Sequence, residues 1–155
     1  MESSNRLIKI LCSTTVVYLI FFLGYIASAR GLSSWYPFAS RPPWGVVSFL
    51  FVPIWLLVYI PVAFAVWRAY ERRYFDVLIV CLAQLIAQIG WQYCFFDLRK
   101  FPASLTFAGL EVVLGIIIFA TLAKKDLKTG ILLQSITVWA IYSIALTAAI
   151  HKLNP

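Results

Sequence analysis

Residues 35–67 begin Trp35-Tyr36-Pro37-Phe38-Ala39-Ser40-Arg41-Pro42-Pro43-Trp44 and continue as an apolar run that carries Pro53, Trp55, Tyr59, Pro61 and Trp67. Four of the six tryptophans of the chain fall in this stretch. Trp and Tyr join an apolar ring to a polar tip, which suits a bilayer interface or a pocket for a flat apolar ligand. The run after the loop has the length of a membrane span, for which a helix needs about 20 residues. Proline inside a span removes a backbone hydrogen bond and is tolerated only where neighbouring groups compensate. An aromatic loop feeding a proline-bearing span predicts a binding cavity inside a membrane bundle.

The rest of the chain repeats the spacing. Of its 155 residues 63 % are hydrophobic and 12 % charged, where a soluble domain carries about 25 % charged residues. The charges cluster between apolar runs, which predicts five spans at Leu7–Ala29, Trp44–Arg68, Phe75–Phe96, Pro102–Ala123 and Thr129–Lys152. The runs do not alternate with period two, so helices rather than a barrel are expected. The fold class is therefore all-α, an integral membrane bundle of five transmembrane helices forming one domain over residues 1–155, with the lipid bilayer as its first partner. The last three connections are short and predict antiparallel neighbours. The first span has a second reading as a secretory signal ending at Ala27-Ser28-Ala29, although its apolar run is longer than the usual signal core.

A net charge of +7 raises nucleic acid as a partner. The basic residues argue against it, because they sit at span ends, where Lys and Arg meet headgroups and set topology. Eight of them (Arg6, Lys9, Arg68, Arg72, Arg73, Lys124, Lys125, Lys128) fall on one side and five (Arg30, Arg41, Arg99, Lys100, Lys152) on the other. This places the N-terminus in the cytoplasm.

Four patterns mark where chemistry would sit. Gln84, Gln88 and Gln92 recur every four residues beside Trp91, so they share one helix face. Amides facing lipid are costly, so this face points into the bundle, either to hold helices together or to line a cavity. Phe51, Trp55 and Tyr59 form an aromatic stripe on the second span, open to a packing or a pocket reading. Ser135, Trp139, Ser143 and Thr147 give the fifth span small polar residues that allow close helix approach and leave room beside Trp139. Glu111 is the lone acid well inside a span, which makes it a functional candidate by default, with structural hydrogen bonding as the alternative.

Other classes find little support. His151 stands alone at a helix end, and no span core holds a histidine or methionine for haem iron. Cys12, Cys81 and Cys94 lack zinc-like spacing and read as buried small hydrophobes. No metal site is expected. There is no Ser-His-Asp set, P-loop or dinucleotide motif.

The residues together resemble the TspO/MBR family, the tryptophan-rich sensory proteins that include the animal translocator protein or peripheral benzodiazepine receptor. The resemblance runs over nearly the whole chain. It is carried by Trp35-Tyr36, Arg41-Pro42-Pro43-Trp44, Pro53-Ile54-Trp55, Tyr59, Val66-Trp67-Arg68, then Gln84, Gln88, Trp91, Phe95-Phe96, Glu111 and Trp139. It implies five transmembrane helices, a homodimer, and residence in a bacterial cell membrane or an organellar one such as the mitochondrial outer membrane. It also implies a porphyrin ligand, protoporphyrin IX or haem, held without being a permanent cofactor. By position Trp35 and Pro42 belong to a lid, while Trp55, Gln84, Gln88, Trp91, Trp139 and Ser143 line the cavity, with Tyr59 and Glu111 beside them.

Departures from the family pattern accompany it. Gly45-Val46-Val47 replaces a Pro-Pro pair after Trp44, Ser135-Ile136 replaces Pro-Tyr, and Thr147-Ala148-Ala149-Ile150-His151 replaces the aromatic end linked to cholesterol. The expected function is a membrane receptor or sensor for porphyrin-type or other flat hydrophobic ligands. The alternatives are a membrane enzyme and a small-molecule transporter. The enzyme would be a light-dependent porphyrin-degrading one, with Trp55 and Trp139 as catalytic candidates, or one using Glu111 for proton chemistry on a sterol-like substrate.

Overall fold

The structure, a computed structural model, describes residues 2–154. Five helices account for most of it: α1 (Glu2–Ser34), α2 (Ser48–Glu71), α3 (Phe75–Gln92), α4 (Phe101–Leu122) and α5 (Leu127–Leu153). A 3-10 turn, Tyr36–Phe38, follows α1, and a π-helical segment, Tyr93–Asp97, prolongs α3. Each helix, with α3 and the π segment taken together, is long and apolar enough to cross a bilayer. The outer faces carry Leu7, Leu19, Leu57, Ile79, Ile116 and Ile141, all exposed as lipid-facing side chains are.

Three sequence expectations need correction. Helix α1 extends past Ala29 to Ser34, so Ala27-Ser28-Ala29 lies inside it. Trp44 does not open the second helix; it lies in a turn, and α2 starts at Ser48. The reason is tertiary, since Val46 is bonded on both sides, its carbonyl accepting from the Tyr36 hydroxyl (2.8 Å) and its amide donating to the Tyr142 hydroxyl (3.1 Å). Cys12 is exposed on α1, whereas Cys81 and Cys94 are buried as expected.

The helices form a closed ring in the order α1, α2, α5, α4, α3, with α3 returning to α1. Sequence neighbours α2 and α3 touch only slightly. Helix α2 stays helical through Pro53 and Pro61. Neighbours support the turn before Pro61: the Tyr18 hydroxyl donates to the Leu56 carbonyl (3.3 Å) and the Ser135 hydroxyl to that of Val58 (3.1 Å). Close approach elsewhere depends on glycine. A Cβ on Gly31 would overlap the Phe96 carbonyl, and one on Gly115 would overlap the Thr137 hydroxyl. These glycines let α1 meet the π segment and α4 meet α5.

Charge closes one end of the ring. Asp126 caps α5 by accepting from the Thr129 amide (3.2 Å) and hydroxyl (2.8 Å). The Arg68 guanidinium donates to both Asp126 oxygens at 3.1 Å, and Arg72 lies 3.1 Å from the same carboxylate. Burial pushes the Asp126 carboxyl up, but the Thr129 bonds and the Arg68 charge outweigh it and hold the group below its ordinary value. Arg73 (φ 57°) then takes the left-handed conformation that ends α2, a position usually given to glycine.

Candidate functional site

At the opposite end, the loop between α1 and α2 folds back over the bundle. The Trp35 indole N–H donates to the Phe96 carbonyl. A π-helical turn shifts backbone bonding by one residue, which is a common device at functional sites. Tyr36 is fully buried and packs edge-on against Phe51 and Phe96 at centroid distances of 5.2 and 5.3 Å. Burial, reinforced by Tyr142 and opposed by the Arg41 cation, raises the Tyr36 phenol above its ordinary value, so it is a neutral donor to Val46. The Arg41 guanidinium sits 5.5 Å from the centre of the Tyr36 ring. Pro42 is half-buried and starts the turn closed by Gly45 N–H to its carbonyl (2.8 Å). Asn154 pins the loop to the end of α5: its amide nitrogen donates to the Ser40 carbonyl (2.9 Å) and its oxygen accepts from the Ser40 N–H (3.0 Å).

Beneath this lid lies an aromatic cluster. Trp55 from α2 and Trp139 from α5 are 6.4 Å apart at 86°. Trp91 from α3 stacks on Phe95 at 5.3 Å and 16°. Phe96 is the common neighbour, 6.0 Å from Trp55 and 5.8 Å from Trp91. Phe51 meets Trp55 at 5.3 Å and Trp139 at 6.1 Å. The three indoles expected around a hollow are thus brought together, with the Phe51 and Phe96 rings between them. Each such ring pair contributes about 0.5–1.5 kcal/mol beyond burial. A planar ligand would have to take the place of these two rings. The indole N–H groups of Trp55 and Trp139 are buried and have no hydrogen-bond partner among the described residues.

The glutamine face points inward. Gln84, Gln88 and Gln92 are all buried. The Gln84 amide nitrogen donates to the Glu111 carbonyl (2.9 Å) and the Thr137 hydroxyl (3.0 Å), tying α3, α4 and α5 at one point. Among the described residues Gln88 pairs neither its nitrogen nor its oxygen, and Glu111, fully buried, pairs neither carboxyl oxygen. Glu111 therefore contributes its backbone, not its carboxyl, to the bonding between helices. Ser143 donates to the Trp139 carbonyl of its own helix (2.9 Å). The Trp91 N–H donates to the Thr147 hydroxyl (3.1 Å), which in turn donates to the Ser143 carbonyl (2.7 Å). Tyr59 is buried and packs on Phe21 of α1 at 5.4 Å.

Apart from Tyr59 and Ser143, the predicted residues fall into three groups. Trp55, Trp91 and Trp139 meet at the aromatic cluster. Gln84, Gln88 and Glu111 lie on the facing sides of α3 and α4. Trp35 and Pro42 belong to the lid and do not reach the glutamines. Sequence reasoning missed Tyr36 as the lid's buried anchor, Thr137 as the partner of Gln84, and Tyr142 and Asn154 as lid ties. Asn154 carries a readable signal, a polar residue just past a helix end, but its partner Ser40 lies 114 positions away.

With this geometry in place, two comparisons bear on the chain. A model of the TspO/MBR family matches residues 13–153. The tryptophan-rich protein TspO of Archaeoglobus fulgidus is 25 % identical over 152 residues, 96 % of this chain and 99 % of that protein. A protein of the same description from Chlorobaculum tepidum is 25 % identical over 139 residues, 86 % of this chain and 88 % of its own length.

Proposed function

The chain belongs to the TspO/MBR family, and from that premise we propose that it is a multi-pass membrane receptor for flat apolar ligands of the porphyrin class, bound between the helices under the 35–47 loop. The observation that carries this reading is the convergence of Trp55, Trp91 and Trp139 from three helices, two of them with buried N–H groups that have no partner among the described residues. A macrocycle entering here would exchange the Phe51 and Phe96 rings for its own face. Its carboxylates would accept from the two indoles and from Arg41 at the rim. Trp35, Pro42 and Tyr36 act as the lid, and Tyr59, Gln84, Gln88, Glu111 and Ser143 as the surrounding wall. The ligand, protoporphyrin IX or haem, comes and goes rather than residing. A homodimer fits the outward Ala145 and half-buried Ala149 on α5, a small-residue pair that allows close helix approach.

Titration of the protein in detergent with protoporphyrin IX tests the reading. Tryptophan fluorescence is expected to be quenched saturably, and Trp139→Ala to weaken binding about tenfold through the lost stacking and N–H bond. Porphyrin that saturates the protein without quenching would overturn it. A second reading, photo-oxidation of bound porphyrin with dissolved dioxygen as the electron acceptor, is favoured by the 6.4 Å spacing of Trp55 and Trp139. Loss of porphyrin absorbance on illumination, abolished in Trp139→Phe, distinguishes it from binding alone.

A further inference from the structure

Deeper than the aromatic cluster, the α3 and α4 faces hold acceptors that the protein leaves unpaired. Glu111 is completely buried, and neither of its carboxyl oxygens has a hydrogen-bond partner among the described residues. The ion pairs of those residues use Glu71 and Asp126, so no Lys, Arg or His neutralises it. The Gln84 oxygen is also unpaired, because its amide nitrogen already serves the Glu111 carbonyl and Thr137. Gln88, one turn closer to the lid, is buried with both side-chain polar atoms free. On the opposite wall, α2 and α5 present the unpaired N–H donors of Trp55 and Trp139.

The arrangement has a direction. Unpaired indole donors sit on α2 and α5, and unpaired acceptors, one of them a carboxyl, sit on α3 and α4. A carboxylate in a lipid-embedded interior without a counter-ion is costly. A ligand that carries a cation supplies the counter-ion with which that carboxyl can be charged, and a neutral ligand of the same shape does not. The unpaired amide oxygens of Gln84 and Gln88, on the helix packed against α4, can then share the N–H groups of that cation.

We propose that Glu111, Gln84 and Gln88 form an acceptor subsite at the deep end of the pocket, selecting flat apolar ligands whose leading edge carries a protonated amine. The subsite rests on the pocket reading above and gives that pocket a polarity. Acceptor groups of a ligand, such as carboxylates, stay at the indoles and the lid, while its cationic end goes to Glu111.

The test compares two tricyclic probes of similar shape by tryptophan quenching in a neutral detergent. One is 9-aminoacridine, a cation at neutral pH, and the other is uncharged 9-methylanthracene. The wild type is expected to bind the amine at least about tenfold more tightly, the scale of one charge-assisted hydrogen bond. Glu111→Gln, nearly isosteric, should erase that preference, bringing the amine and the hydrocarbon to within about threefold of each other. Gln88→Leu should reduce the preference about threefold and decides the matter if Glu111→Gln does not fold. A wild type that binds protoporphyrin IX without preferring the amine would overturn the subsite and leave the pocket reading standing. So would a Glu111→Gln protein that keeps the preference. Amine preference without any porphyrin quenching would uphold the subsite and remove the porphyrin class, and no binding of any probe would remove both.

Discussion

At one end of the bundle, Arg68 and Arg72 converge on the Asp126 carboxylate, which also caps α5. At the other, Trp35, Tyr36 and Asn154 hold the 35–47 loop by neutral bonds aimed mostly at backbone carbonyls. The charged end joins α2 to the α4–α5 connection through groups that cannot separate without stranding a buried carboxylate. The neutral end can open one bond at a time, because water can satisfy each freed carbonyl and hydroxyl at little net cost. One end is built as an anchor and the other as a weaker closure. Under the proposed function, that asymmetry makes the loop the expected route of ligand entry.

The contrast can be challenged by removing its parts. Asp126→Ala deletes the helix cap and leaves two arginines without their shared partner. Thermal unfolding in detergent should show a loss of about 3 kcal/mol, with little change in the rate of ligand association. Acid offers a milder version. A carboxylate held below its unfolded-chain value stabilises the fold above that value, and its contribution disappears as pH falls through the folded one. The melting temperature of the wild type should therefore fall on acidification below about pH 5 more steeply than that of Asp126→Asn, measured side by side. Equal slopes would show that the cluster stores no such energy. At the lid, Tyr36→Phe removes the bond to Val46 and should cost only about 1 kcal/mol of stability. Its signature is kinetic: stopped-flow quenching by protoporphyrin IX should be faster in both directions. Unchanged rates would mean that the loop is not the way in.

Much of this was readable in the residues, but unevenly. The span pattern follows from charge clusters and apolar runs, and five helices appear where those runs lie. Gln84, Gln88 and Gln92 point inward, because spacing by four puts them on one face and amides are costly in lipid. Trp44 was misread because the start of α2 is set by Val46 bonding to Tyr36 and Tyr142, a tertiary matter. The π-helical segment left no mark in composition, since an added residue in a helix has no characteristic residue type. The filling of the space between the indoles by Phe51 and Phe96 depends on α5 packing beside α2, which chain order does not state. Glu111 announced itself as a lone acid in a span. Its lack of a partner is visible only once the side chains around it are placed.

The ring order has a consequence for how the molecule is made. The first four spans leave the ribosome before α5, yet α5 occupies the gap between α2 and α4. Until it arrives, the wall bearing Trp55 faces an unfinished seam rather than Trp139. A greasy guest could be taken up during biogenesis by simple enclosure, before any loop has to lift, and release alone would then depend on the loop.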